Sequence, residues 1–279
     1  MGLNSLKQLL KKNKTVDAVS RIICLPLFLI KEKKVCCEIE KRRAGKSDDR
    51  YEWIKELKGR YNNKRCFVVA TGPSLTLEDL ECIKNEFCFG MNSCIKAFGE
   101  TTWRPAVYGI QDVYVYEKLK EELEAADPSD LANVWVSDSV ANSFVTPERF
   151  RRFPLYDLDH KHYHRTGYGK FEFSCDCYAS VNDGYSITFS LMQMAVYMGF
   201  KEIYLLGCDC NYNQPKTHFK DSGHVDPKAP VMGDKMIAGH AEFKKFADAL
   251  GVNVINCTRG GMLEVYPRMN LDEVLGRDN

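Results

Sequence analysis

The chain predicts an α/β fold of the Rossmann-like kind: a mostly parallel sheet with helices on both faces, an N-terminal helical appendage and a lid region. Three observations carry this expectation. The 279 residues are enough for one domain of about 200 to 250 residues with an addition. Short runs of strand formers recur with helical stretches between several of them. Those runs are apolar throughout instead of alternating, as strands covered on both faces are.

The N-terminal 50 residues carry Lys-rich clusters (KQLLKKNK, KEKK, KRR) around the apolar segment IICLPLFLI. Nine residues are too few to cross a bilayer, which takes about 20, and no small-residue cleavage site follows them. Two readings stand. One is a peripheral membrane foot whose apolar face enters the headgroups while its lysines meet anionic lipid. The other is a helix packed on the main domain or on a second subunit of a homo-oligomer. The charged stretch KRRAGKSDDRYEWIKELKGRYNNK then gives way abruptly to CFVVATG, so the boundary is expected at residue 62. This divides the chain into 1–61, a basic helical region, and 62–279, the catalytic domain.

Six strands are expected, at 66–70, 87–91, 106–110, 133–136, 201–206 and 253–256. The segment RFPLYDLDHKHYHRTGYGKFEFSCDCY fits no element and reads as a long surface insertion; 150–180 and 213–238 are the lid candidates. Hydrophobic content of 44%, charged content of 28% and a net charge of +1 are ordinary, and exclude a global pull toward nucleic acid. The twelve cysteines sit in apolar runs of a domain-sized chain, the pattern of reduced, buried thiols in a cytoplasmic protein.

Ligands of open parallel sheets bind beyond the carboxyl ends of the strands, so the residues just after each strand are the ones to question. After the first, ATGPSLTLEDL offers Gly72 for a tight turn, Pro73 to fix its φ, and Ser74 or Thr76 to cap a helix whose N-terminus could attract phosphate. After the second, Asn92 can both donate and accept toward a nucleotide or sugar, or close an Asx turn. After the third, Asp112 can bind a sugar hydroxyl or cap the next helix. In SVNDGYSITFSLMQMAVYMGF, Asn182, Asp183 and Gly184 lie near a helix start, as ligand contacts or as caps.

The strand KEIYLLG then ends at Gly207, with Asp209 at the sheet edge and Tyr212 and His218 beyond. A zinc site joining Cys208 and Cys210 to Cys175 and Cys177 is conceivable, but a shared strand face with Asp209 opposite favours packing for the two later cysteines. His160, His162 and His164 alternate, either as a metal clip or as a solvated loop. His218 and His224, in KTHFKDSGHVD, have the titration range of a general base if their loop folds over the sheet edge. His240 is read as opening an amphipathic helix from the surface. Arg259, after the last strand, can pair with phosphate or with a surface acid.

Taken together, ATGPSL, FGMNS, DGYSITFSLMQMAVYMGFKEIYLLGCD and NCTRGGMLEVYPR resemble the bacterial DUF115 superfamily over about residues 62 to 275. That group includes 6-hydroxymethylpterin diphosphokinase-like proteins, flagellin-modifying Maf proteins and, more distantly, bacterial sialyltransferases with an NGPS motif. The resemblance implies a metal-independent transferase that takes a CMP-linked sugar, possessing a lid histidine as base. It further implies nucleotide contacts at Gly72, Pro73, Ser74, Asn92, Asp183 and Gly184, with Asp209 and Tyr212 at the strand end. The chain departs from the sialyltransferases at Thr71, where they have Asn, at Ser180, where they have Arg, and in placing Tyr212 three residues after Asp209 instead of two.

The expected function is therefore glycosyl transfer from a nucleotide sugar, with sialic acid or a related acidic sugar as the candidate, to a surface-glycan or lipid-linked acceptor in polysaccharide biosynthesis. His218 is the preferred base, Tyr212 and Asp209 assist, and His224 and His240 stand in reserve. No cofactor is required in that reading. The rival is a magnesium- and ATP-dependent diphosphokinase using Asp112, Asp183 or Asp209, and a third class is a non-catalytic binding protein docked through its basic N-terminus.

Overall fold

The computed structural model describes residues 14–46, 49–158, 172–212, 217–220 and 229–277, with the backbone alone for 14–24, 49 and 229–231. His160, His162, His164 and His224 lie outside these residues, as do parts of both lid candidates.

Seven strands form one parallel sheet: β1 (Arg65–Val69), β2 (Cys88–Met91), β3 (Val107–Ile110), β4 (Val134–Ser137), β5 (Phe150–Phe153), β8 (Glu202–Leu206) and β9 (Asn253–Asn256). Their order is β5-β4-β3-β2-β1-β8-β9, and every pairing is parallel. Two short strands, β6 (Leu155–Tyr156) and β7 (Val181–Asn182), make a separate parallel pair. The architecture is α/β and Rossmann-like, and each of the six expected strands is present to within one residue.

Strand periodicity divides the core into two layers. Cys66 and Val68 belong to one buried cluster and Phe67 and Val69 to the other. On the first face lies α6 (Ile187–Tyr197), in which every residue but Val196 is buried. It lies close against β3, where a Cβ on Gly109 would stand 2.9 Å from Leu191. The second face is covered by α3 (Leu77–Cys82), α4 (Val113–Ala125) and α5 (Asp138–Ser143), through Leu80, Tyr116, Leu119, Leu123 and Val140.

The N-terminal helix α1 (Lys14–Arg43) runs through Pro26, and the chain then enters the core before residue 62. Tyr51, Ile54 and Leu57, around the one-turn helix α2 (Glu52–Lys55), are buried with the first-face cluster. Trp53 packs on Trp135 at 5.1 Å between ring centroids, and Tyr61 stacks on Phe200 at 4.9 Å. The packed unit thus reaches back to Tyr51, because the apolar residues between the charges of YEWIKELKGRY form one buried face.

Two further elements differ from the sequence expectation. β5 was hidden because Arg151 and Arg152 interrupt it, yet Phe150 and Phe153 are buried while β5 pairs only with β4 at the sheet edge. The helix expected to open at His240 begins at Ala229, as α7 (Ala229–Ala249). Pro230 sits in its first turn, where a missing N–H costs nothing. Gly233 and Gly239, which weaken a helix reading, are packing residues: a Cβ on Gly233 would lie 2.5 Å from the Cys210 carbonyl, and one on Gly239 2.8 Å from Phe189. Helix α8 (Leu271–Val274) closes the described chain.

Candidate functional site

From β1 the chain proceeds outward through β2 to β5, then returns so that β8 pairs on β1's other edge and β9 continues away. The connections therefore diverge between β1 and β8, and such a switch point leaves a crevice beyond the strand ends. A cleft of about 540 Å³, its open mouth included, lies there, lined by residues from both strand ends.

The two strand ends are held closer than side chains would allow. The Ala70 N–H donates to the Leu206 carbonyl at 2.9 Å and the Gly72 N–H to the Gly207 carbonyl at 2.8 Å. A Cβ on Gly72 would stand 1.9 Å from Asp209 Oδ2 and 2.4 Å from the Gly207 oxygen. Gly207 itself has a φ of +64°, a region glycine enters without steric cost. The Asp209 carboxylate consequently rests on the Gly72 backbone, where the Ser74 hydroxyl donates to its Oδ2 at 2.7 Å. Burial raises the Asp209 pKa, against the opposing pull of the Ser74 donors and the Arg268 charge.

Behind Asp209, the turn after β9 acts as a buttress. Thr258 Oγ1 accepts from the Cys208 N–H at 3.0 Å, and the Met262 N–H donates to the Asp209 carbonyl at 2.7 Å. Cys208 and Cys210 are buried in the core cluster. Burial pushes the Cys210 thiol up to about 12 and Cys208 well above its usual range, so both are protonated packing groups. Among the described residues no three His, Cys, Asp or Glu side chains converge as metal ligands.

Asn92, with φ +49°, leaves β2 into the cleft lining. The Tyr108 hydroxyl donates to its backbone carbonyl, whereas its side-chain Oδ1 is buried with no hydrogen-bond partner. Ser186 and Thr188 form another part of the lining; Ser186 caps α6 by accepting from the Thr188 N–H at 3.2 Å. Of the four non-glycine residues with positive φ among those described, Asn92 and Cys210 line the cleft and Tyr185 adjoins it. Such backbone concentrates at functional sites.

The remaining lining comes from α7 and from the chain after β8. Tyr212 donates its hydroxyl to Met236 Sδ at 3.3 Å, and its ring meets His218 edge-on at 6.2 Å. His218 Nδ1 lies 2.9 Å from Thr217 Oγ1, and the Phe219 N–H donates to the Thr71 carbonyl at 2.7 Å, tying this segment to the end of β1.

His240 is 1% exposed, yet it lines the cleft. Its Nδ1 is 3.1 Å from the Tyr266 hydroxyl, which also lies 3.1 Å from the His240 carbonyl. The hydroxyl has one proton for two acceptors at equal distance: when it goes to the carbonyl, Nδ1 carries the ring hydrogen and Nε2 the lone pair, and when it goes to Nδ1 the tautomer is reversed. Burial lowers the His240 pKa to about 3, so the ring is neutral.

Of the sequence candidates, the structure brings Gly72, Asn92, Gly207, Asp209, Tyr212 and His218 into the lining, with Ser74 bonded to Asp209 and Pro73 between them in the turn. Asp112, Asn182, Asp183, Gly184 and Arg259 are not among the lining residues. Asp112 caps α4, accepting from the Tyr114 and Val115 amides. Asn182 donates to the Glu172 carbonyl and is tied through its backbone to Gln193. Asp183 accepts from Gln111 Nε2 at 2.8 Å, and Gly184 turns at φ +58° against Phe189. Arg259 is paired through both terminal nitrogens with Asp79. The expected helix-terminal anion site is also altered: α3 has only six residues, and a reciprocal Thr76–Asp79 capping box occupies the Thr76 and Asp79 amides. His240, held in reserve as a base by the sequence reading, is also in the lining, and Ser186 and Thr188 enter it without having been singled out.

A parallel sheet whose crevice is lined by glycine turns at the switch point defines a Rossmann-like α/β protein. The chain belongs to the 6-hydroxymethylpterin diphosphokinase MptE-like family, whose model matches residues 46–215. Among solved structures it is similar to the MAf glycosyltransferase from Magnetospirillum magneticum AMB-1, at 18% identity and a TM-score of 0.48, over 79% of this chain and 37% of that one. It is also similar to the sialyltransferase CstII from Campylobacter jejuni, solved in complex with a substrate analogue, cytidine-5'-monophosphate, at 12% identity and a TM-score of 0.46, over 75% of this chain and 85% of that one. The chain thus spans little more than a third of the MAf protein. No curated protein matches it.

Proposed function

We propose that the protein is a glycosyltransferase that takes a nucleotide-activated sugar, CMP-linked by preference, and passes the sugar to a glycan or lipid-linked acceptor without a metal ion. The observation that carries this reading is the neutral, orientation-fixed His240 in the lining of the switch-point cleft. Glycosyl transfer from a nucleotide sugar needs a proton acceptor for the attacking hydroxyl and donors for the departing phosphate. In this reading the acceptor oxygen bonds the anomeric carbon as the bond from that carbon to the phosphate oxygen breaks, and the hydroxyl proton passes to Nε2 of His240.

We prefer His240 to His218 as the base because it is buried in the lining and its ring is held by Tyr266; burial lowers its proton affinity, which has to be offset during the reaction. The negative charge of the departing phosphate raises the affinity of the ring for the proton as transfer proceeds. Tyr212 and His218, side by side in the lining, are assigned to that phosphate, and the Gly72–Ser74 turn to the nucleotide. His240→Asn is expected to lower kcat at least about 100-fold with nucleotide binding kept, while His218→Ala acts mainly on donor binding. Near-normal turnover by folded His240→Asn overturns the assignment.

The family name favours a second reading, phosphoryl transfer from ATP to a pterin-like alcohol. Magnesium in such sites is held by one or two carboxylates together with substrate phosphates. Asp209 is the one carboxylate among the described lining residues and is already bonded to Ser74, while Asp112 and Asp183 are engaged elsewhere. A single carboxylate stands at the lower end of that requirement, so nucleotide preference and metal dependence decide between the two readings. Thermal shifts with CMP, CDP, UDP and ATP, each with magnesium or with EDTA, separate the two: stabilisation by a cytidine nucleotide in EDTA supports sugar transfer, and stabilisation by ATP that requires magnesium supports the kinase.

A further inference from the structure

Helix α1 has two faces, and among the described residues only one is used by the rest of the chain. Leu25, Phe28, Glu32, Val35, Ile39 and Arg42 are buried or half-buried, at the three- and four-residue spacing of a single helical stripe. Phe28 is 1% exposed. At the far end Arg42 Nε donates to the Ala179 carbonyl at 2.6 Å, and Arg43 lies 3.8 Å from an Asp176 carboxylate oxygen. The helix is therefore fixed in rotation, and what it turns outward is defined.

The outward side shows Leu27, 67% exposed, and Ile30, 57% exposed, with Leu29 at 39% toward one edge. Exposed Lys31, Lys33 and Lys34 follow at once, and none has an ion pair among the described residues. Apolar side chains this exposed, next to unneutralised lysines, call for an occupant that is apolar within and negative at its surface. A second copy of the same helix meets the first requirement but sets lysines against lysines. An anionic bilayer meets both: leucine and isoleucine enter the acyl boundary while ammonium groups remain at headgroup level. No helix of the described residues is long and apolar enough to cross a membrane, so α1 would lie along the surface.

We infer that the outward face of α1 docks the protein on an anionic lipid surface through Leu27, Ile30, Lys31 and Lys34. The inference is independent of the chemistry assigned to the cleft. Its test is cosedimentation of the full chain with vesicles of phosphatidylcholine alone or with 30 mol% phosphatidylglycerol (about that fraction suffices for a strong negative surface potential). Wild-type protein is expected to pellet with the anionic vesicles and to be released as salt shortens the screening length. Leu27→Ser with Ile30→Ser should abolish pelleting. Lys31→Glu with Lys34→Glu should weaken it at least about 25-fold, since each lysine near such a surface contributes about fivefold.

Circular dichroism and the midpoint of thermal unfolding, which substitutions at exposed positions should leave unchanged, verify that the variants are folded. Failure of wild-type protein to pellet overturns the inference, as does retention of binding by the folded Ser variant. A dimer in gel filtration that the Ser variant dissolves, with no vesicle binding by wild type, assigns the face to a second copy instead.

Discussion

Removing the imidazole of His240 should alter how stability depends on pH, and the size of the change follows from its burial. The ring titrates at about 6.5 when the chain is unfolded and at about 3 when folded. Between these values the unfolded chain binds a proton there and the folded chain does not, so stability rises with pH. The contribution is fully present above 6.5 and lost as pH falls toward 3, with a slope of about 1.4 kcal/mol per pH unit. Lowering pH from 6.5 to 5.0 should thus cost wild-type protein about 2 kcal/mol through this one residue. His240→Gln keeps a polar group near Tyr266 without a titrating ring. Urea unfolding of both proteins at pH 6.5 and 5.0, with no nucleotide present, gives two stability losses, and their difference isolates His240 from every other titrating group. If both proteins lose the same free energy on acidification, the histidine is not buried neutral and the argument for it as a fixed base fails.

Gly72→Ala places a methyl group 1.9 Å from Asp209 Oδ2 and 2.4 Å from a backbone oxygen; overpacking against backbone should destabilise by about 2 to 3 kcal/mol in urea unfolding and remove the nucleotide-induced thermal shift. Gly233→Ala gains about 1 kcal/mol of helix propensity, but the Cys210 carbonyl at 2.5 Å should convert that gain into a net loss, measured by the same unfolding experiment. Arg259→Ala removes the partner of Asp79, whose side chain is 4% exposed; the carboxylate left uncompensated should cost about 1 to 3 kcal/mol of stability, and nucleotide affinity by calorimetry should be unchanged.

How far the sequence anticipates this molecule can be seen at particular residues. Strand runs such as CFVVA and EIYLLG declare themselves because both faces are covered, leaving no polar alternation to confuse them. Gly72, Gly207 and Asp209 follow from the rule that parallel sheets bind at strand ends. What sequence could not decide was which polar residue at a strand end faces the crevice and which caps the next helix. Asp112 and Asp183 have the composition of ligand contacts, but an amide pair and Gln111 respectively hold them. His240 was held in reserve, and its burial within a longer helix was obscured for a different reason. Glycines at 233 and 239 suppress the helical signal locally, while their purpose, close approach to Cys210 and Phe189, exists only between segments distant in the chain. The charged run before residue 62 likewise conceals Tyr51, Ile54 and Leu57, whose burial depends on a sheet that has not yet been synthesised.

The pairing of β1 with β8 also sets when the cleft can exist. Arg65 is aligned with Glu202, so these two neighbouring strands, fifth and sixth in the sheet order, are far apart in sequence and close a very long loop. Contacts of this separation form late, because the entropy of loop closure must be overcome before they reward the chain. Until β8 arrives, β1 presents an unpaired edge in the middle of the future sheet, flanked by Phe67 and Val69, and such an edge invites pairing with another chain. The crevice and the protection of that edge are thus linked: the strand whose end forms one wall of the binding site is the strand that covers β1.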